Sequence, residues 1–389
     1  MKISAKNNAP LLQVDIGPER IVMTDGLQPF GFKTRSGSIV VQAQLAYPPG
    51  QRPERDVFPG LPGTVVSRDG GKTWRRWQPA TEQGLGPMIE GAVTTLRDGT
   101  TVLLEWLAST PDENGKRTAR LWASSDDFET LQGPSLCAVD LPQAVTGFDD
   151  GGLPYSGVTF HRTLLELPHG DLLATLYCWF ESDDTPCPYM PSMKKMRTVL
   201  LRSTNRGESW RYLSTVAVDP AVGEEGFCEP VMVRLSQGEY SGRLVCIMRT
   251  GSIDYPLYQA HSDDDGASWS QPRELEMRGV DPNLIEMQDG TLVCSYGRRM
   301  NGQHEEKRYY LAFSKDGGET WPQIIAMPPT EPHAQTIPLS ETGEWYYGDT
   351  THYSTILEMQ PGTLLLLYDV GTWNQCVRYT ASREIQIHL

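Results

Sequence analysis

The second half of the chain places ionisable side chains at the ends of apolar segments, where they can do chemistry. Glu229 stands just before the apolar residues 231–233, and Arg249 directly follows the apolar residues 245–248. A charge at the edge of a buried segment needs a polar partner, because burying an unpaired charge is costly. Tyr353, at the start of another apolar segment, adds a phenol that can donate or accept a proton. These residue types predict a polar site able to move protons and to hold a polar ligand.

The framework that must position these side chains is indicated by a repeated turn sequence. The pattern Ser-x-Asp/Asn-x-Gly-x-Ser/Thr-Trp starts at Ser67, Ser203, Ser262 and Ser314, and a weaker copy starts at Ser124. Asp and Asn side chains bond to their own backbone in tight turns, and the glycine permits a positive φ. The tryptophan then buries a large apolar surface between neighbouring sheets. We interpret the repeat as a structural clip, so its Asp and Ser residues are not expected to be catalytic.

The spacing of these turns predicts the fold. The copies recur at intervals of about 50 to 80 residues, which leaves room for a blade of about 40 to 50 residues plus loops. Apolar segments alternate with Asp-Gly and similar hairpin turns, and no long stretch has helical periodicity. We therefore predict an all-β fold, a six-bladed β-propeller of four-stranded antiparallel blades, as a single domain over residues 1–389. The N-terminal segment 1–25 is expected to pair with the last strand, near residues 384–389, and to close the ring.

A propeller brings distant parts of the chain together, because its innermost strands all start at one mouth of the central channel. At the corresponding positions this sequence is rich in charge, whereas a purely structural channel needs few ions. We therefore expect the functional site at this mouth. The residues at these positions are Gln28, Glu90, His161, Arg162, Glu229, Arg249, Asp281, Arg298, Arg299, His352, Tyr353 and Asp369.

Two short motifs accompany the repeated turns: Glu229-Pro230, with 18 residues between it and Arg249, and His352-Tyr353-Ser354. Together with the turns, these motifs resemble the sialidase (neuraminidase) superfamily. The resemblance implies a retaining exo-glycoside hydrolase that removes a terminal, acidic sugar through a tyrosine nucleophile. Tyr353 matches that tyrosine, and Glu229 matches the glutamate that takes its proton. Asp56 is the best match for the general acid of the family, with Glu54 as the alternative.

The resemblance also implies a cluster of three arginines that grips the carboxylate of the sugar. Arg249 matches the second of them and Arg298 the third, with Arg299 close behind. Leu27 stands where the family has its first arginine, and Arg162 is a candidate to replace it. The predicted substrate-binding set is completed by His161, His352 and Asp281.

Two other functions remain open. Propellers with these turns also resemble polysaccharide lyases and other glycosidases, in which His and Tyr serve as acid and base. His161, His352 and Tyr353 would then be the working groups. The missing first arginine favours the second alternative, a propeller that binds glycans without cleaving them.

Composition narrows the range of partners. A net charge of −15, from 34 basic and 49 acidic residues, disfavours nucleic acids and anionic membranes. The resemblance to the sialidase superfamily implies a carbohydrate partner. The seven cysteines include no C-x-x-C pair, so no metal site or cofactor is predicted. No apolar run reaches the roughly 18 residues of a membrane span, and the N-terminus lacks the apolar core of a secretory signal. We therefore expect a cytoplasmic protein, or a secreted one if a signal has been removed, and the sequence does not indicate its oligomeric state.

Overall fold

The structure is a computed structural model that describes residues 11–46, 60–77, 87–149, 152–299, 308–329, 350–371 and 378–388. Within these ranges the chain forms β-strands joined by turns and loops, and no helix occurs. The predicted all-β fold is therefore confirmed. Accordingly, the described residues contain no helix with the length and apolar character needed to cross a membrane.

Most strands follow one another as antiparallel sets of four in chain order. The chain opens with β1 (Gln13–Ile16) and β2 (Arg20–Met23). The first set is β3 (Leu27–Lys33), β4 (Ile39–Ala46), β5 (Gly60–Ser67) and β6 (Arg75–Trp77). The second set is β7 (Ala92–Thr95), β8 (Thr101–Leu104), β9 (Arg117–Ser124) and β10 (Gln132–Asp140). A short hairpin follows, made of β11 (Gly147–Phe148) and β12 (Pro154–Tyr155).

The remaining strands repeat the same arrangement. The third set is β13 (Val158–Glu166), β14 (Leu172–Cys178), β15 (Arg197–Ser203) and β16 (Ser209–Ala217). The fourth set is β17 (Cys228–Arg234), β18 (Leu244–Arg249), β19 (Pro256–Ser262) and β20 (Arg273–Arg278). The fifth set is β21 (Val280–Glu286), β22 (Leu292–Gly297), β23 (Tyr309–Ser314) and β24 (Gln323–Ala326). The sixth set is β25 (Ser354–Gln360), β26 (Thr363–Val370) and β27 (Tyr379–His388), to which β1 is added.

The first strand of each set lies against the first strand of the next, and the succession closes on itself. β3 contacts β7, β7 pairs in parallel with β13, and β13 contacts β17. β17 then contacts β21, β21 contacts β25, and β25 contacts β3 again. At this closure the Thr355 hydroxyl donates a hydrogen bond to the Pro29 carbonyl, 326 positions away in the sequence. The closed succession gathers the starts of these strands in one place.

A strand from the beginning of the chain completes the last set. β1 pairs antiparallel with β27, from Gln13 opposite His388 to Ile16 opposite Ile385, and β2 also pairs with β27. A strand that is covered in this way no longer presents unpaired backbone groups along its edge. The two ends of the described chain are therefore joined in one sheet.

The repeated turns form a network of local hydrogen bonds. In the first copy, Asp69 Oδ1 accepts the backbone N–H of Thr73 at 2.9 Å and the Ser67 hydroxyl at 2.8 Å. Gly71 donates its N–H to Ser67 Oγ at 2.9 Å and has a φ of 86°. The hydrogen bonds from Thr73 lower the pKa of Asp69 to about 2. Asp69 is therefore an acceptor that holds the turn, which agrees with a structural role for the repeat.

Tryptophans of these turns link neighbouring sets. Trp269 Nε1 donates to Ser214 Oγ of β16 at 3.0 Å, and Trp321 Nε1 donates to Gln259 Oε1 of β19 at 2.9 Å. Each bond joins the turn of one set to a strand of the set before it. Apolar side chains pack in the same interfaces, as in the cluster that contains Leu200, Met232 and Met248. The clips and the apolar contacts together hold the sets side by side.

Candidate active site

The first strands are distorted at the same point near their starts. Gln28, Arg162, Glu229, Asp281 and His352 have φ between 41° and 69°, in the left-handed region that non-glycine residues rarely adopt. In β3, β13, β17 and β21 the ladder also shifts register there, as in a β-bulge. Bulges re-aim side chains, and backbone strain of this kind clusters at functional sites. The strained residues all belong to the positions expected at the channel mouth.

Tyr353, Glu229 and Arg249 form one hydrogen-bonded group. The Tyr353 hydroxyl donates a hydrogen bond to Glu229 Oε1, and Arg249 Nη1 donates to the same oxygen at 2.6 Å. Arg249 Nη1 also lies 3.3 Å from Tyr353 Oη, and Glu229 Oε2 accepts the backbone N–H of Asp281 at 3.2 Å. All three residues are buried. The structure therefore brings together the predicted nucleophile, the predicted base and one predicted arginine.

Burial and Arg249 set the protonation states in this group. Burial opposes the charged form of Glu229, but the Arg249 guanidinium and the hydrogen bond from Tyr353 help to lower the pKa of Glu229 to about 2. Burial raises the pKa of Tyr353 well above its usual value of 10.0, and the Glu229 charge raises it further. At neutral pH Glu229 is therefore a carboxylate, and Tyr353 is a neutral phenol that donates to it.

Arg162 ties a second pair of acids to the same place. Its Nη2 lies 2.9 Å from Asp281 Oδ1 and 3.2 Å from Glu90 Oε1, and its Nη1 donates to the Ser354 carbonyl at 2.7 Å. The Ser354 N–H in turn donates to Asp281 Oδ2 at 2.8 Å. The guanidinium carbon of Arg162 is 5.8 Å from the centre of the Tyr353 ring. Arg162 and Asp281 therefore fix the backbone next to Tyr353.

A cavity of about 330 Å³ opens beside these groups. Small-molecule sites usually measure about 300 to 1,000 Å³ and combine apolar walls with a few placed polar groups. The polar part of this wall includes Glu90, His161, Glu225, Glu229, Arg249 and Tyr353. The apolar part includes Trp106, Tyr155, Phe160, Tyr177, Met193 and Met196. This mixture suits a sugar, because a sugar ring presents both hydroxyl groups and apolar faces.

Glu90, His161 and Asp281 are close enough to be considered as metal ligands. Each places one ligand atom within 4.8 Å of the others, and no second group of this kind occurs among the described residues. Arg162 already pairs with both carboxylates, so a guanidinium stands beside the acids that would attract a metal ion and offsets one of their two charges. The donor set therefore does not fit a metal site.

The two adjacent arginines after β22 diverge. Arg298 Nε donates to Asp254 Oδ1 at 3.0 Å, whereas the guanidinium carbon of Arg299 lies 5.7 Å from the centre of the Tyr353 ring. Arg299 also donates to the Thr351 carbonyl at 2.6 Å. Successive side chains of an extended segment face opposite sides, so one of two neighbours can reach the tyrosine. Of these two arginines, Arg299 is therefore the one that lies at Tyr353, whereas Arg298, the predicted one, faces Asp254.

The two histidines differ in their access to the cavity. His161 lines it, and its Nδ1 lies 3.1 Å from the Pro230 carbonyl. Burial and the nearby Arg162 lower the pKa of His161 to about 3, so this imidazole is neutral. His352 is 2% exposed and is not among the residues that line the cavity. The structure therefore does not place both histidines on the cavity wall, as an acid and base pair would require.

Arg162 reaches the strand in which the family's first arginine was missing. Leu27, which stands at that position, is fully buried in β3. The guanidinium carbon of Arg162, from the third set, lies 5.3 Å from the centre of the Phe30 ring in the same strand. The side chain of Arg162 therefore lies against the strand that carries Leu27.

Asp369 and Asp56 complete the set of expected positions. Asp369 is buried and accepts the backbone N–H groups of Gln28 at 2.7 Å and of Thr351 at 2.9 Å. It therefore connects the first and sixth sets and acts as a structural acceptor. Asp56 and its alternative Glu54 lie outside the described residues.

Glu225 is an acid of the cavity wall that the sequence analysis missed. Its Oε1 lies 3.1 Å from Arg249 Nη2 and accepts the Tyr189 hydroxyl at 2.6 Å. Glu225 therefore holds one arm of the Arg249 guanidinium while Glu229 holds the other. The sequence could have indicated Glu225 as a site residue, because it stands four positions before Glu229 in the same short segment.

Comparison with known proteins identifies a family. The model of the BNR repeat-like domain family matches residues 63–366. No curated protein matches the sequence. Among solved structures, a protein of unknown function from Dyadobacter fermentans superposes with a TM-score of 0.69 at 18% identity, over 96% of this chain and 99% of that chain.

Two glycoside hydrolases share the fold. The NanB sialidase from Streptococcus pneumoniae superposes with a TM-score of 0.60 at 13% identity, over 96% of this chain and 70% of that chain. The α-L-arabinofuranosidase of Fusarium graminearum, solved with arabinobiose, gives 0.58 at 12% identity, over 95% of this chain and 98% of that chain. Identities this low show a common fold and do not transfer an activity. Since the family model spans most of the sequence, the chain belongs to the BNR repeat-like domain family, as its resemblance to the sialidase superfamily implied.

Proposed function

We propose that this protein is a six-bladed β-propeller glycoside hydrolase that removes a terminal sugar with retention of configuration. The observation that carries the proposal is the hydrogen bond from Tyr353 to Glu229, beside Arg249, at the wall of the cavity. A phenol held against a carboxylate has the partner that a tyrosine nucleophile needs. The propeller is supported by the six strand sets, because their first strands contact one another in a closed succession. Each set then corresponds to one blade.

The reaction takes place in two halves. In the first, Tyr353 Oη attacks the anomeric carbon, its proton passes to Glu229, and the leaving oxygen takes a proton from an acid as its bond breaks. In the second, water attacks the anomeric carbon and gives a proton to the conjugate base of that acid. The Tyr353 oxygen leaves and takes its proton back from Glu229. Two successive inversions give overall retention.

The pKa values decide when the Tyr353 proton moves. The pKa of Glu229 is about 2 because Arg249 and Tyr353 offset the effect of burial, so Glu229 is a weak base at rest. The pKa of Tyr353 is raised by burial. The phenol therefore stays neutral until a sugar is present, and its proton crosses to Glu229 only as the bond to the anomeric carbon forms.

The same protonation states favour one competing arrangement. An ionised Glu229 can itself attack the anomeric carbon, as carboxylates do in most retaining glycosidases. Tyr353 would then only donate a hydrogen bond to the nucleophile. The two arrangements differ in the residue that carries the covalent intermediate.

The charges around the cavity favour a neutral sugar over an acidic one. Arg249 places Nη1 on Glu229, Nη2 on Glu225 and Nε on a backbone carbonyl at 2.9 Å. Arg162 and Arg299 also donate to carboxylates or backbone carbonyls. A substrate carboxylate would have to displace protein acceptors from these guanidinium groups to gain bidentate bonds. We therefore propose that the terminal sugar is neutral.

Trapping the intermediate tests the mechanism. A panel of aryl glycosides of neutral and acidic sugars is expected to contain a neutral sugar that is hydrolysed faster than any sialoside. Its 2-deoxy-2-fluoro analogue with a good leaving group should then label Tyr353, as shown by mass spectrometry of the digested protein. A label on Glu229 would establish the competing arrangement. Glycans that bind with no hydrolysis of any member of the panel would show a binding protein and overturn the proposal.

A further inference from the structure

Glu90 is a carboxylate of the cavity wall that lies outside the Tyr353–Glu229–Arg249 group. Its side chain is 15% exposed and lies 3.2 Å from Arg162 Nη2. The same guanidinium nitrogen lies 2.9 Å from Asp281, whose side chain is fully enclosed. Of the two acids on this nitrogen, Glu90 is therefore the one that faces the cavity.

Two carboxylates on one guanidinium carry one negative charge more than the cation balances. When like charges lie this close, the pair tends to keep a proton, and the titration belongs to the pair. Burial raises the pKa of Glu90 and the pKa of Asp281 despite the opposing effect of Arg162, and the charge of Glu229 raises both further. The two carboxylates on Arg162 can therefore share one proton, and Glu90, which lines the cavity, is the member from which that proton can reach a ligand.

The groups that face Glu90 come from three other sets. Arg162 and His161 belong to the third set, Glu229 to the fourth and Asp281 to the fifth. Arg162 is the cation in this group, and burial keeps His161 neutral with a pKa of about 3. Glu229 is ionised by its contact with Arg249. Among these groups, Glu90 and Asp281 are therefore the acids whose pKa values are shifted towards keeping a proton.

The other acids that line the described part of the cavity have different partners. Glu229 and Glu225 hold the two arms of the Arg249 guanidinium. Asp149 accepts a backbone N–H of its own turn at 2.7 Å. An acid that gives up a proton to a substrate has to be protonated at rest, and the raised pKa of Glu90 and its shared guanidinium with Asp281 favour that state.

We propose that Glu90 is the general acid of this site and gives its proton to the oxygen of the leaving group. As the glycosidic C–O bond breaks, the carboxyl proton of Glu90 passes to the leaving oxygen while Tyr353 Oη bonds to the anomeric carbon. The Glu90 carboxylate then takes a proton from the water that releases the sugar. Arg162 and Asp281 position Glu90 and retain the proton between turnovers. This inference rests on the proposed glycoside hydrolysis.

A series of leaving groups tests the role of Glu90. Aryl glycosides of the sugar that the wild-type protein hydrolyses would be compared in wild type and Glu90→Gln. A poor leaving group needs the acid, so its kcat/KM is expected to fall about 100-fold or more. A dinitrophenyl group leaves without protonation, so its kcat/KM is expected to change less than about five-fold. The alkaline limb of the kcat/KM profile should also disappear in Glu90→Gln.

Two control variants accompany this series. Glu105→Gln changes another acid whose pKa is raised by burial, one that accepts Trp122 Nε1 at 2.7 Å and does not line the cavity. It should hydrolyse both substrates like wild type. Asp56→Asn tests the acid expected from the family resemblance. The same dependence on the leaving group in Asp56→Asn, with none in Glu90→Gln, would overturn the inference and leave the hydrolase proposal standing.

A readout without substrate separates the two proposals. The infrared band of a protonated carboxyl at neutral pH should weaken in Glu90→Gln and persist in Glu105→Gln. Equal slowing of good and poor leaving groups in Glu90→Gln, or an unchanged infrared band, would contradict the assignment of Glu90. A wild-type protein that hydrolyses no glycoside would refute the function and with it this role for Glu90.

Discussion

Tyr353 and Glu229 share a hydrogen bond although 124 positions separate them in the sequence. Glu229 lies in β17 and Tyr353 directly precedes β25, so one further set stands between their strands. Asp281 of that set spans the gap, because its N–H bonds Glu229 and its carboxylate accepts the N–H of Ser354. The pairing of phenol and carboxylate therefore depends on three neighbouring sets of the closed succession.

Replacing Tyr353 by Phe removes the hydroxyl and leaves the ring. We expect kcat on the best glycoside to fall by about 1,000-fold or more, since the bond-forming oxygen is lost. Thermal unfolding should show that the variant is folded. Tyr258→Phe is the matched control, because its hydroxyl contacts Glu274 at 3.2 Å and the residue does not line the cavity. Full activity in Tyr353→Phe would remove Tyr353 as the nucleophile.

Replacing Arg249 by Met leaves Glu225 and Glu229 buried without their shared guanidinium. Breaking a buried ion pair by removing one partner costs about 3 to 5 kcal/mol of unfolding free energy. Urea unfolding of Arg249→Met should show a loss in this range. Arg249→Lys keeps the positive charge but loses the two-armed guanidinium, so its loss of unfolding free energy should be smaller than that of Arg249→Met. If Arg249→Met unfolds at the same midpoint urea concentration as wild type, the ion pairs of Arg249 do not stabilise the fold.

The depressed pKa of Glu229 predicts how stability depends on pH. Its folded pKa of about 2 lies below the usual 4.5, so its stabilising contribution is present above about pH 4.5 and is lost as the pH falls towards 2. The difference in unfolding free energy between wild type and Glu229→Gln should therefore shrink over this range.

Glu90 provides the control for this measurement because its pKa is shifted in the opposite direction. A raised folded pKa makes an acid less favourable to the fold as the pH rises above its usual value. Wild type should therefore gain stability relative to Glu90→Gln as the pH falls. Equal pH dependence in Glu90→Gln and Glu229→Gln would contradict the opposite shifts.

The two adjacent arginines should differ in their effect on activity. Arg299 lies over the Tyr353 ring, so Arg299→Ala is expected to lower kcat/KM by about ten-fold or more. Arg298 bonds Asp254, so Arg298→Ala should stay within about three-fold of wild type. Steady-state kinetics on one glycoside would check both variants. The reverse ranking would restore Arg298 as the arginine of the site.

The repeated turns should matter for stability and not for catalysis. Asp264 accepts the Ser268 N–H at 2.9 Å and the Ser262 hydroxyl at 2.7 Å, so Asp264→Ala should cost about 1 to 3 kcal/mol of unfolding free energy. Its kcat should equal that of wild type. Asp263→Ala removes only an exposed ion pair with Arg243, so its loss should remain below about 1 kcal/mol. A large fall in kcat for folded Asp264→Ala would contradict a purely structural role.

The repeated turns and apolar segments of the sequence determined the strands. Hairpins depend on local signals, namely Asp or Asn at the turn, a glycine that allows positive φ and apolar residues on both sides. Turns such as Ser67–Trp74 could therefore be recognised without knowing what packs against them. The same local periodicity indicated which residues stand at the strand ends, among them Glu229, Arg249 and Tyr353.

Only the tertiary structure decided which of these residues meet. The bulges at Glu229 and Asp281 re-aim their side chains, and the arrangement of neighbouring sets puts Arg162 on the carboxylates of Glu90 and Asp281. The alternation of side chains admits Arg299 rather than Arg298 to the tyrosine. Sequence spacing does not encode these contacts, because each one depends on the orientation of side chains from several sets around a shared cavity. Charge pairing and protonation in the site follow from that three-dimensional arrangement.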